Sequence, residues 1–194
     1  DLSSLKEVII AGSVCPPEVA ADLERRMPNG RSGQLFGMTE TILIMQTPLN
    51  ESPEIRHSST GRKTEGIDIR IVNPLDDTEV AVNEEGELLL RGYAIMAGYL
   101  NNEAANKIAY TTDGFFRSGD LATCDANGNV IIPGRVIDVI NRGGIKINPT
   151  DIENILQAHP SIVFAALVPM HDDVLGERIC VFITLAPKAL FTFD

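Results

Sequence analysis

The sequence predicts an α/β chain: a βαβ unit, then a small antiparallel β subdomain, then a small α+β domain at the C-terminal end. Three observations predict it. An apolar run, a proline-led helix and a second apolar run follow one another over residues 6–37. Ile67, Ile69 and Ile71 alternate with Asp68 and Arg70, the period of a half-buried strand. Beyond Arg142, a helix-start signal precedes two long runs of β-branched and aromatic residues.

Residues 6–12, Lys-Glu-Val-Ile-Ile-Ala-Gly, read as a buried strand entering a glycine turn. Pro16-Pro17-Glu18 then opens a helix, because proline is tolerated in the first turn and an acid suits the positive end of the dipole. Val19, Leu23 and Met27 form its apolar face, and Pro28-Asn29-Gly30 ends it. Residues 33–37 form the second strand. Residues 50–65 are polar and rich in Ser, Thr and Gly, which predicts a loop. Further strands are predicted over residues 67–71, 87–91, 129–132 and 136–140. Thr150-Asp151-Ile152-Glu153 has the form of a capping box, with Ile152, Ile155 and Leu156 on the buried face of the helix it starts. Residues 162–168 and 178–185 are the last two strands. The domain boundary is predicted at Asp138, giving residues 1–137 and 138–194.

With 194 residues, 44% of them hydrophobic and 22% charged, the chain has the composition of a soluble globular protein. A formal net charge of −11 argues against nucleic acid as a partner, since phosphate binding needs clustered Lys and Arg. The single Arg142-Gly143-Gly144 does not change that. Cys15, Cys124 and Cys180 are far apart, without Cys-x-x-Cys or Cys/His spacing. Zinc is not predicted, and a reducing, cytoplasmic location is. His57, His159 and His171 are not spaced as ligands. No apolar run reaches the ~20 residues of a transmembrane helix.

Four segments have the residue types of a nucleotide site. Small residues in Ala11-Gly12-Ser13-Val14-Cys15-Pro16-Pro17-Glu18 let a flat ring approach the backbone, although a strand-to-helix turn has the same composition. In Phe36-Gly37-Met38-Thr39-Glu40-Thr41 an aromatic ring can stack on a base, a hydroxyl can bond a phosphate oxygen, and a carboxylate can ligate Mg²⁺. The structural alternative is a helix N-terminus capped by Thr39. In Asp113-Gly114-Phe115-Phe116-Arg117-Ser118-Gly119-Asp120 an ionised Asp120 offers only acceptors, which suits the vicinal hydroxyls of a ribose. Asp113-Gly114 reads as a turn. The fourth segment is Gly134-Arg135-Val136-Ile137-Asp138 with Asn141-Arg142-Gly143-Gly144-Ile145-Lys146. It offers a planar cation, an acid at an element end and a Gly-Gly loop.

In order and approximate spacing these segments resemble the core motifs of the adenylate-forming (AMP-binding) enzymes, in particular the acyl-CoA and aryl-CoA synthetases, with the resemblance running from Ala11 to Glu177. The resemblance implies the fold: the C-terminal part of the large adenylate-forming domain, then an incomplete lid domain from residue 138. It also implies roles. Gly12, Ser13, Phe36, Gly37, Asp120 and Arg135 bind the nucleotide, Thr39 and Glu40 are catalytic, and Glu40 holds Mg²⁺. Asp138 is the hinge, and Gly143 and Gly144 line a tunnel for CoA. Phe115 stands where the family commonly has Trp, and Ile137 where it usually has Lys.

The implied reaction joins a carboxylic acid to ATP as an acyl-adenylate, then to CoA as a thioester. A carrier protein or small amine as acceptor, and a truncated homologue that only binds nucleotide, stay open. No Gly/Ser/Thr-rich stretch ending in Lys-Gly precedes Ala11, and Lys188 lacks the Pro-x-x-x-Gly-Lys setting of the family's catalytic lysine. The expectation is therefore a fragment that forms no adenylate unaided. The choice of acid and the oligomeric state are not encoded in these motifs.

Overall fold

The computed structural model describes residues 2–187 and 189. The chain separates into two compact units, Asp1–Ile132 and Pro133–Asp194. Lys188 lies outside the described residues.

The first unit opens as the predicted βαβ. Strand β1 (Glu7–Ile10) leads into α1 (Pro17–Arg25), and β2 (Arg31–Met38) returns parallel to β1, with Glu7 opposite Arg31 and Ile10 opposite Gln34. Pro17 and Glu18 occupy the first turn of α1. The expected apolar face holds in part: Met27, just past the helix, is buried, but Val19 is exposed and Ala20 packs inward. Strand β3 (Ile42–Gln46) runs antiparallel to β2 and pairs with β4 (Arg62–Lys63), giving the order β1-β2-β3-β4.

The predicted loop between β3 and β4 contains a helix, α2 (Pro53–Ser58). Six residues are too few for a periodic signal, and the buried side chain that anchors this helix is a cation, Arg56. A second sheet follows, ordered β5 (Ile67–Val72), β6 (Gly86–Gly92), β7 (Phe116–Cys124) and β8 (Val130–Arg135), with β5–β6 and β6–β7 antiparallel. Every residue of β6 from Gly86 to Leu90 is buried, as a central strand covered on both faces requires. Helix α3 (Glu103–Ala109), also absent from the sequence reading, lies between β6 and β7; Asn102 caps it by accepting the Ala105 N–H. The core joins the two sheets: Ile44 and Met45 pack with Ile67, Leu88, Leu90, Phe116, Ala122, Val130 and Ile132.

Strand β8 crosses into the second unit, and two expectations fail just beyond it. Residues 136–140 are not a strand: Val136–Asp138 is a single 3-10 turn with Ile137 81% exposed, and β9 (Ile140–Arg142) starts only at the buried Ile140. Thr150 is not the cap of α4 (Pro149–Gln157) either. Pro149 starts the helix one residue earlier, so Asn148 caps it by accepting the Thr150 N–H at 3.2 Å. Glu153 turns instead to β11 (Ile162–Asp172), accepting the Leu167 N–H at 2.8 Å. Ile155, expected on the buried face, is exposed. With β10 (Ile145–Ile147) and β12 (Gly176–Leu185) the sheet order is β10-β9-β12-β11. The unit is thus α+β. Among the described residues the three cysteines are unbonded, and no helix is long and apolar enough to cross a membrane.

Candidate adenylate site

The parallel register of β1 and β2 brings the first two motifs together. Ile10 lies opposite Gln34, so the exposed Gly12–Ser13 turn and Phe36–Gly37 both continue from the carboxyl ends of neighbouring parallel strands. Open α/β sheets bind ligands at that edge. Phe36 is half-buried, one side of it packed against the core cluster.

From Met38 the chain turns through residues 39–41 into β3, so Thr39 sits at the tip of a strand-to-strand turn and not at a helix N-terminus. Thr41, fully buried, closes the turn. Its hydroxyl accepts the Met38 N–H at 3.2 Å and donates to the Ile42 carbonyl at 3.3 Å, and its own N–H donates to the Met38 carbonyl at 3.1 Å. The β2–β3 pairing slips between Phe36 and Gly37, and Ile42 adopts a φ of 55°. These distortions bring the Ile42 carbonyl onto Gly37, where a Cβ would overlap it; only glycine fits.

Glu40 is held at two points by the segment after β6. Its backbone carbonyl accepts the Met96 N–H at 2.8 Å, and Oε1 of its carboxylate accepts the Tyr99 hydroxyl at 3.0 Å. Among the described residues no group of three or more His, Cys, Asp or Glu side chains is placed to hold a metal ion, so these residues alone do not build a complete cage. A single carboxylate with one oxygen engaged by a phenol fits the other common mode, in which Mg²⁺ keeps waters and is shared with substrate phosphates.

Asp120 lies on β7, 7% exposed. Ser118 positions it. The Ser118 hydroxyl donates to the Leu88 carbonyl of β6 at 2.8 Å and accepts the Asp120 N–H at 3.0 Å. Asp113 belongs to the turn leading into β7, as expected, and pairs with Arg70 at 2.8 Å. Phe115 is buried between the guanidinium groups of Arg70 and Arg91, each a little over 4 Å from its ring centroid, so it is a packing residue.

The remaining predicted residues belong to the second unit. Arg135 ends β8, and Asp138 ends the 3-10 turn, exposed. Gly143 and Gly144, with φ of 60° and 92°, form the two-residue turn of the β9–β10 hairpin, where Arg142 pairs with Ile145. Two successive positive φ values demand such residues. The Gly143 N–H donates to the Leu175 carbonyl at 2.8 Å and the Gly144 N–H to Asn141 Oδ1 at 3.0 Å, so the turn is tied down on both sides.

Sequence reasoning missed Tyr99, Met96 and Thr41. Tyr99 is 59 positions from Glu40 and reaches it only through the fold.

The family described as AMP-binding enzyme matches residues 1–100. A 2-hydroxy-7-methoxy-5-methyl-1-naphthoate–CoA ligase of Streptomyces carzinostaticus is 40% identical over 96% of this chain and 33% of its own length. A salicyl-AMP ligase / salicyl-S-ArCP synthetase of Mycobacterium tuberculosis is 40% identical over 94% of this chain and 32% of its own. Among solved structures, the o-succinylbenzoate CoA synthetase of Bacillus subtilis in complex with its acyl-adenylate superposes with a TM-score of 0.79. It is 25% identical over 95% of this chain and 37% of its own. The chain therefore spans about a third of the length of the relatives it matches. With the family model matching residues 1–100 and relatives 40% identical over at least 94% of its length, this chain belongs to the AMP-binding, adenylate-forming ligases.

Proposed function

We propose that the chain is the nucleotide-handling portion of a cytoplasmic acid–thiol ligase that activates an aromatic carboxylic acid. In the first half-reaction an oxygen of the acid attacks the α-phosphorus of ATP; the acyl-adenylate forms and pyrophosphate leaves. In the second, a thiolate attacks the acyl carbon and AMP leaves. The observation that carries the reading is the Thr39–Glu40 turn, which presents a hydroxyl and an anchored carboxylate beside the strand edge bearing Gly12, Ser13, Phe36 and Gly37.

In this reading Phe36 packs beside the adenine, Asp120 accepts from the ribose hydroxyls, and Arg135 contacts ribose or phosphate. Thr39 donates to a phosphate oxygen, and Glu40 holds Mg²⁺. When bound, Mg²⁺ neutralises charge on the phosphates of the nucleotide. Positioning and charge neutralisation dominate such a transfer. The second unit contributes Asp138 as hinge, with the domain boundary at residues 137/138, and Gly143–Gly144 as the backbone wall of the thiol's path.

The aromatic acid is inferred from relatives named for a hydroxynaphthoate, salicyl and o-succinylbenzoate. We take CoA as the acceptor. A carrier protein is the second reading, favoured by the relative named for loading one. On the 194-residue chain alone, calorimetry should show AMP and a salicyl-sulfamoyl-adenosine binding, with pyrophosphate release absent. A full-length ligase containing the chain should exchange pyrophosphate with 2-hydroxyaryl acids and not with aliphatic ones. CoA against a carrier protein then decides the acceptor. Exchange with aliphatic acids alone would overturn the aromatic assignment.

A further inference from the structure

The segment before helix α3 holds Glu40, and α3 with the residue that follows it braces that segment, so together they form a bracket around Glu40. The Asn106 side chain clamps the backbone of Tyr99 from both sides: its Oδ1 accepts the Tyr99 N–H at 2.6 Å, and its Nδ2 donates to the Tyr99 carbonyl at 2.9 Å. Just past α3, the Tyr110 hydroxyl donates to the Met96 carbonyl at 2.6 Å. Met96 and Tyr99 are the two residues that hold Glu40, one at its backbone and one at its carboxylate. Each link of the bracket thus has a second link behind it.

From this geometry we propose that Tyr99 is a positioning residue for the reaction: its phenol, clamped by Asn106, fixes the Glu40 carboxylate so that the other oxygen faces the metal-bound nucleotide. The inference rests on the reading of Glu40 given above. A carboxylate free to rotate about its last torsion presents either oxygen in many directions, and a metal must select one of them. With Oε1 engaged by Tyr99, no donor among the described residues reaches Oε2, which remains for the cation. Tyr99 is partly exposed, so a ligand can approach without displacing it.

The test is Tyr99→Phe in the full-length ligase of which the chain is proposed to be part, beside Glu40→Gln and the double variant. Loss of one hydrogen bond to a charged group predicts an about tenfold rise in the Mg²⁺ concentration needed for half-maximal pyrophosphate exchange. Mn²⁺ binding in the presence of ATP, followed by electron paramagnetic resonance, should weaken by the same factor. The KM for the acid and the affinity for an acyl-sulfamoyl-adenosine, which needs no metal, should not change. Asn106→Ala should give a smaller effect of the same kind. In the double variant, removing Tyr99 should add nothing to the effect of Glu40→Gln. If Glu40→Gln shifts the metal dependence and Tyr99→Phe does not, the positioning role is wrong while the reading of Glu40 survives. If Glu40→Gln leaves metal binding unchanged, the reading of Glu40 fails first and the role of Tyr99 with it. If Tyr99→Phe weakens analogue and metal binding alike, Tyr99 only supports the fold, which also overturns the proposal.

Discussion

Ile42 has a φ of 55° although its β-branched side chain disfavours the left-handed region, and it is 73% exposed, so burial does not compensate for the strain. Its carbonyl must point at Gly37 for the turn to close, and Thr41 holds that arrangement from inside. Asn tolerates the same backbone more easily. Ile42→Asn should therefore raise the stability of the chain by about 1 kcal/mol, read as a higher midpoint in urea at unchanged slope. Gly37→Ala should do the opposite and cost roughly 1–3 kcal/mol, because its new methyl meets backbone. A neutral Gly37→Ala would mean that the turn is looser than described. The Phe36-Gly37-x-Thr39-Glu40 pattern was legible in the sequence because its residues are contiguous and form one strand end and turn. Ile42, Thr41 and Tyr99 were not, since their importance comes from a backbone angle, a turn closure and a partner distant in sequence.

The elements α1, α2 and β2 meet at one buried ion pair. Arg56 of α2 donates both Nη2 bonds to the two oxygens of Glu24 in α1 at 2.8 Å, and its Nε donates to the Ser32 carbonyl of β2 at 3.1 Å. The Ser32 N–H donates to Glu24 at 2.6 Å, and His57 Nε2 lies 3.1 Å from the same carboxylate. Burial alone would raise the pKa of Glu24. Arg56, the Ser32 N–H and His57 outweigh it and hold the pKa at about 2, below an ordinary value of 4.5. Because the folded pKa is the lower one, the stabilisation is fully present above about pH 4.5 and is lost as the pH falls towards 2. Glu24→Gln should thus flatten the acid limb of the stability profile between those values. Arg56→Leu, which strands the carboxylate, should cost about 3–5 kcal/mol at pH 7. An acid limb unchanged in Glu24→Gln would sink this account. The pair also shows why α2 escaped a reading based on apolar periodicity: its anchor is a charge. Strands β1, β2, β5, β6, β11 and β12 were legible because each carries a run of apolar and β-branched residues, whether buried, as in β6, or partly exposed, as at Ile9, Phe164 and Phe182. The run at residues 136–140 misled because it has the same composition, yet Val136–Asp138 form a 3-10 turn.

At the scale of the whole molecule the chain passes from one compact unit to the other at Ile132 and Pro133, and the first segment beyond β8 is weakly held. The 3-10 turn closes on one long bond, the Val139 N–H to the Val136 carbonyl at 3.4 Å, and Ile137 and Asp138 are exposed. The connection between β5 and β6, residues 73–85, also exposes apolar side chains, Leu75 and Val82. It is better secured. The Asn73 N–H donates to the Thr78 carbonyl at 2.8 Å, the Val80 N–H to the Ile71 carbonyl at 3.1 Å, and Asp77 pairs with Arg117. Protease cleavage needs a stretch of chain that opens locally, so exposure without hydrogen bonding decides the site. Low-ratio proteinase K should therefore make its first internal cut within residues 136–139, identified by the intact masses of the two products. A first cut within residues 73–85 would show instead that the connection between β5 and β6 is the weaker one. It would also remove the mechanical basis for a hinge at Asp138, because a hinge must sit where the backbone turns at the least cost.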